Sequence, residues 1–96
     1  MATRQSIEDC INRVESAILN AEEQYTLGSR QEHYHDVEFS DAQGQLEAAA
    51  QELEKLADSS NAQQREQLYR VGLKVQQLQN KMILLDHDHP LYSTWH

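Results

Sequence analysis

The chain has 96 residues, enough for one small domain, and its residues are 39% hydrophobic and 25% charged. Its net charge of −8 at pH 7 argues against nucleic-acid binding, which needs a basic footprint, and against binding to an anionic membrane surface. No apolar run approaches the ~20 residues that span a bilayer, and no signal peptide precedes Ile7. One cysteine allows no internal disulfide. We therefore expect a cytoplasmic protein.

The first predicted helix covers about residues 4–27. Its apolar residues follow the alternating spacing of four and three that is typical of a heptad stripe: Ile7, Ile11, Val14, Ile18, Ala21 and Tyr25. Thr3 or Ser6 is the expected N-cap, and Gly28 is a favourable place for the helix to end. Cys10 lies beside the stripe, where we interpret it as a small half-buried hydrophobic residue rather than a reactive thiol.

The second predicted helix covers about residues 37–57 and follows a connector in which Gly, Ser and His replace the apolar period. Its stripe consists of Phe39, Ala42, Leu46, Ala49, Leu53 and Leu56. Ser40 and Gln43 have the spacing of a capping box. A turn of only four residues, 58–61, follows, and a turn this short requires the next helix to run antiparallel.

The third predicted helix covers about residues 62–86, and Asn61 with Gln64 has the capping-box spacing at its start. Its stripe consists of Leu68, Val71, Val75, Leu78, Met82 and Leu85. Because proline disfavours a helix interior, we expect the helix to end before Pro90. Residues 87–96 are then an irregular C-terminal tail.

These elements predict an all-α fold, a single helical domain over residues 1–86. The expected architecture is an up-down-up three-helix bundle with coiled-coil-like packing, and the alternative is a helical hairpin that dimerises into a four-helix bundle. The basic residues Arg70, Lys74 and Lys81 flank the third stripe. They form either a stripe for nucleic acid or, as we favour, partners for glutamates that recur every seven residues on the first two helices.

All five histidines lie in two segments that an up-down-up order brings to one end of the bundle: His33 and His35 in the connector, and His87, His89 and His96 in the tail. Imidazole and carboxylate groups are ligands for Zn²⁺ and other divalent ions. The candidate metal ligands are therefore His33, His35, Asp36, His87 and His89. A pH-responsive function and a merely solvated helix end are the competing interpretations.

Residues 82–85 are apolar on all sides of the third helix, and one stripe buries only about two of the four. Either the tail folds back over this end, or the end binds a partner. The candidate interaction residues are Ile83, Leu84, Leu91, Tyr92 and Trp95. Since no phosphate-binding loop, nucleophile elbow or Cys-x-x-Cys motif occurs, we expect no enzyme and no cofactor, but a module that binds a protein partner or forms a homo-oligomer.

Several strings resemble those of the YtzC-like family, small uncharacterised proteins of bacilli. They are Met1-Ala-Thr-Arg-Gln-Ser6, Gln31-Glu-His-Tyr34, Ser40-Asp-Ala-Gln43 with Gln45-Leu-Glu47, Asn61-Ala-Gln-Gln-Arg-Glu-Gln-Leu-Tyr-Arg70 and Met82-Ile-Leu84. The resemblance covers most of the chain up to about Leu85. It implies a bacterial, cytoplasmic protein and brings no catalytic or cofactor residue to this chain.

Overall fold

The chain folds into three α-helices in the computed structural model: α1 (Arg4–Ser29), α2 (Val37–Ala57) and α3 (Ala62–Trp95). The structure describes residues 2–29 and 37–95, and in the second of these segments it describes side chains as far as Leu85. Each helix packs against the other two, and the described residues include no strand. The predicted all-α three-helix bundle is confirmed.

The core lies between the three helices, and each contributes one stripe of apolar side chains. The buried residues are Ile7, Cys10, Val14, Ile18 and Ala21 of α1, Phe39, Ala42, Leu46, Ala49 and Leu53 of α2, and Leu68, Val71, Val75, Leu78 and Met82 of α3. Cys10 is fully buried, whereas we expected it to be half-buried, and Ile11 lies at the edge of the core. A helix that contacts two neighbours buries a wider stripe than a two-helix seam, so Cys10 falls within it.

Reciprocal hydrogen bonds cap the starts of α1 and α3. At α1, the Ser6 amide donates to Thr3 Oγ1 at 3.0 Å, and the Thr3 amide donates to Ser6 Oγ at 3.0 Å. At α3, the Gln64 amide donates to Asn61 Oδ1 at 2.8 Å, and the Asn61 amide donates to Gln64 Oε1 at 3.0 Å. The bonds at α3 form the predicted capping box, and those at α1 include the predicted N-cap Thr3. The capping box predicted at Ser40 and Gln43 is wrong, because α2 begins at Val37 and Ser40 lies inside it.

The chain before α1 is attached to the turn between α2 and α3. The Ala2 amide donates to the Ser59 carbonyl at 2.7 Å, and Gln64 Nε2 donates to the Ala2 carbonyl at 3.3 Å. Within the turn, Ser60 Oγ donates to the Leu56 carbonyl at 2.6 Å. These bonds satisfy backbone groups that helix ends leave unpaired, and they fix α1 beside the start of α3.

The C-terminal segment differs from the expectation. The sequence predicts an irregular tail over residues 87–96, but α3 continues through Pro90 to Trp95. A helix that has already formed adds one hydrogen bond for each further residue, so extension costs less than initiation. A single proline weakens such a helix by removing one amide donor without always ending it.

The flanking charges also pair differently from the prediction. Arg70 bonds to Glu66 of its own helix at 2.7 Å. Within the described residues, no ion pair joins Lys74 or Lys81 to a glutamate of α1 or α2. Exposed lysine–glutamate pairs gain little energy and cost side-chain entropy, so neighbouring rows of opposite charge need not form close pairs.

Candidate functional site

Large apolar side chains remain exposed along α3 after the core is complete. The exposed fraction is 67% for Tyr69, 39% for Leu73, 48% for Ile83 and 61% for Leu84. Isolated exposed apolar residues are normal on protein surfaces, whereas several on one side of one helix indicate a contact surface.

These residues lie on a second heptad register of α3, directed away from the core. Positions 69, 73, 76, 80 and 83 step by four, three, four and three, so they share one side of the helix. We define the α3 outer face as Tyr69, Leu73, Gln76, Asn80, Ile83 and Leu84, all of which are exposed. None of the six is charged, and the charged residues of α3 between positions 69 and 84 are Arg70, Lys74 and Lys81, on its flank.

An open groove of about 400 Å³ runs beside this face, between α2 and α3. Its apolar lining consists of Ala50, Leu53, Ala57, Leu68, Tyr69, Gly72 and Leu73. Gly72 adds no side chain to this lining, and a Cβ added there would make an ordinary van der Waals contact with Leu53 Cδ1 at 3.8 Å. The groove therefore has room for an apolar side chain from outside the bundle.

Charged groups are placed unevenly along the groove. Arg65 and Glu54 line it near the start of α3. Farther along, Gln79 Nε2 donates to Glu47 Oε2 at 3.1 Å, which places Glu47 of α2 beside residue 79 of α3. The groove is thus lined by one basic and one acidic group, and a second acidic group, Glu47, lies farther along α2.

A polar cluster at the interface of α1 and α2 has a structural role. Arg13 donates two hydrogen bonds to Glu52, with a distance of 3.2 Å from Arg13 Nε to Glu52 Oε1. These bonds lower the pKa of the Glu52 carboxyl. Burial, with help from Glu52, raises the pKa of the Cys10 thiol to about 11, so this sulfur stays protonated at neutral pH and is a poor nucleophile.

Of the predicted interaction residues, Ile83 and Leu84 are exposed as expected. Leu91, Tyr92 and Trp95 belong to α3, but their side chains lie outside the described part of the structure. Positions 84, 91 and 95 are spaced by seven and four, which continues one helical register.

Sequence reasoning missed Tyr69 and Leu73, although a signal for them exists. The second series of residues spaced by four and three was present on α3, but polar Gln76 and Asn80 interrupt it. A polar residue in a helix seam is compatible with a contact surface, since such residues select register and partner.

The predicted metal ligands are not tested by the structure. His33, His35 and Asp36 lie outside the described residues, and the side chains of His87 and His89 are not described either. Positions two apart on a helix differ by about 200° around its axis, so the register of α3 does not bring positions 87 and 89 to one face. Elsewhere in the described part of the chain, no group of three or more His, Cys, Asp or Glu side chains could hold a metal ion. The site stays a prediction.

None of the described helices combines the length and the apolar character that crossing a bilayer requires.

Comparisons with known proteins agree with the resemblance found in the sequence. A family model described as "Protein of unknown function (DUF2524)" matches residues 1–84, which include the whole α3 outer face. "Uncharacterized protein YtzC" of Bacillus subtilis (strain 168) is 56% identical over 91 residues, covering 95% of this chain and 98% of that protein. No solved structure matches the chain. The chain therefore belongs to the DUF2524 family of bacterial proteins of unknown function.

Proposed function

We propose that this protein is a small, non-enzymatic interaction module of the cytoplasm, and that the α3 outer face is its binding surface. The observation that carries the proposal is the exposure of Tyr69, Leu73, Ile83 and Leu84 along one side of one helix, beside an open apolar groove. Covering such a surface removes apolar area from water at about 25 cal/mol per Å², which favours association.

The composition of the face also supports a protein partner. Tyrosine and leucine side chains with neutral amides between them resemble an interface, whereas charged residues are depleted at the centres of interfaces. The net charge of −8 opposes nucleic-acid binding. The grooves of the bundle and the protonated Cys10 thiol offer little to a catalytic mechanism.

Photo-cross-linking in living cells tests this function. The chain is expressed in Bacillus subtilis in place of the similar protein, with a photoreactive phenylalanine analogue at position 73. The matched control carries the analogue at Leu19 of α1, which is 68% exposed but lies outside the α3 outer face.

We expect irradiation to give a discrete protein adduct from position 73 and much less from position 19. An adduct whose yield is equal at the two positions, or no protein adduct from position 73, would contradict the proposed function. Mass spectrometry of the adduct identifies the partner.

A further inference from the structure

We infer that the part of the α3 outer face from Tyr69 to Asn80 binds a second copy of this chain, with the two α3 helices packed antiparallel about a two-fold axis. This inference rests on the proposed function and names its partner. The inference rests on more than the exposure of the face, because two features of the face match the same face of a second copy: its side chains match the groove, and its charges match each other.

The first half of the contact is a match between side chains and groove. Tyr69 and Leu73 project from the rim of the α2–α3 groove, and Gly72 leaves a depression between them and Leu53. A two-fold axis at the level of residue 71 pairs Tyr69 of each copy with Leu73 of the other. The side chains of each copy then fill the groove of its partner, as an isologous interface requires.

The second half is a match of charges, and it selects the antiparallel orientation. Arg65 and Arg70 flank the outer face on its two sides, five residues apart. In a parallel pair of α3 helices, Arg65 of one copy faces Arg70 of the other copy, so the two arginines repel each other. An antiparallel pair about residue 71 separates Arg65 from Arg70 of the partner and moves Arg65 towards residue 77 of the partner, close to the level of Glu47, which contacts Gln79. The two Arg70 side chains then lie near the axis, where each is paired with Glu66 of its own helix at 2.7 Å.

The overall charge leaves the α3 outer face as the favourable surface for self-association. Two copies of a chain with net charge −8 repel each other. Within the described residues, α1 carries exposed glutamates, such as Glu15 and Glu23, whereas the outer face is uncharged and its flank is basic. One acidic group, Glu54, lines the groove beside this face. Approach through α3 therefore avoids contact between the acidic surfaces of α1.

Filling the groove tests the predicted contact. Gly72→Gln places a neutral polar side chain in the depression, and Gly44→Gln is the matched control, because a Cβ at Gly44 meets no atom within 4 Å. Sedimentation equilibrium should show a dimer for the wild type and for Gly44→Gln, and a dissociation constant at least tenfold weaker for Gly72→Gln. Circular dichroism confirms that both variants fold. Equal association of the two variants would overturn the inference.

The orientation is measured by electron paramagnetic resonance on the full chain, with a spin label on Gln63→Cys in a Cys10→Ala background. With the axis at residue 71, the two labelled backbones lie about 24 Å apart along the helix axis, whereas a parallel pair holds them at one level, with axes about 10 Å apart. A distance between the two labels near 10 Å would contradict the antiparallel arrangement. A protein that stays monomeric would contradict the inference that the partner is a second copy of this chain. If the protein is monomeric but position 73 still cross-links to a different protein in cells, the proposed function stands without this inference.

Discussion

Gly44 is an exposed residue inside α2, and the packing of the bundle does not require a glycine at this position. A Cβ at this position meets no atom within 4 Å. We predict that Gly44→Ala raises the free energy of unfolding by about 0.5–1 kcal/mol, because alanine has the higher helix propensity and restricts the unfolded chain. Urea denaturation measures the change. An unchanged or lower free energy of unfolding would contradict this prediction.

Cys10 makes stability depend on pH in the alkaline range. Burial raises the pKa of its thiol from 9.0 to about 11. Between these values the unfolded chain loses a proton that the folded chain keeps, so the free energy of unfolding falls as pH rises, by roughly 2 kcal/mol over the whole window. Below pH 9 both states keep the proton and the effect vanishes.

Cys10→Ala removes this titration while leaving the tyrosines and lysines in place. Its free energy of unfolding, measured by urea denaturation from pH 8 to 11, should therefore fall less steeply than that of the wild type. Parallel pH profiles for the two proteins would contradict the account of Cys10.

At the scale of single elements, the start of α3 depends on a capping box. Asn61 Oδ1 accepts a hydrogen bond from the Gln64 amide at 2.8 Å. Asn61→Ala removes this acceptor, and we expect it to lower the free energy of unfolding by about 1 kcal/mol. Gln63→Ala, an exposed neighbour within the same turn, is the control for helix propensity. If the two variants have the same stability in urea, the cap contributes nothing.

The end of α3 gives a second prediction at this scale. The helix includes Pro90 and ends at Trp95. Pro90→Ala restores the missing amide donor, so it should increase the helical content of residues 86–95. Backbone chemical shifts from NMR report the helicity of each residue, and random-coil values in both proteins would contradict a continuous α3.

At the scale of the whole molecule, the architecture could be predicted because three helices with apolar stripes of heptad period bury all three stripes when they pack together as a bundle. Among the residues whose side chains the structure describes, fifteen form the core, and the large ones, such as Phe39, Leu46 and Met82, all lie on the predicted stripes. Periodicity reports which side of a helix is buried, so it carries this information directly. The N-cap at Thr3 and the capping box at Asn61 could be predicted for a similar reason, since they are local patterns of hydrogen bonding.

The remaining features depend on which neighbouring helices and side chains compete for the same contact. The spacing of residues along the sequence does not report this competition. The width of the buried stripe decides that Cys10 is enclosed, and it depends on two neighbouring helices. Arg70 bonds to Glu66, an i, i+4 partner on its own helix, and such local pairs compete with the pairs between helices that the heptad spacing suggests. The exposure of Tyr69 and Leu73 becomes evident only when the core is seen to be complete without them.

The most direct measurement is sedimentation equilibrium of the wild type and of Leu73→Glu over a hundredfold range of concentration. The account predicts that the wild type shifts from the monomer mass of 11.1 kDa towards twice that value as concentration rises. Leu73→Glu should remain a folded monomer throughout, since its charges meet at the centre of the contact. A wild type that stays monomeric, or a Leu73→Glu variant that associates as strongly, would contradict the assignment of the α3 outer face as a surface for self-association.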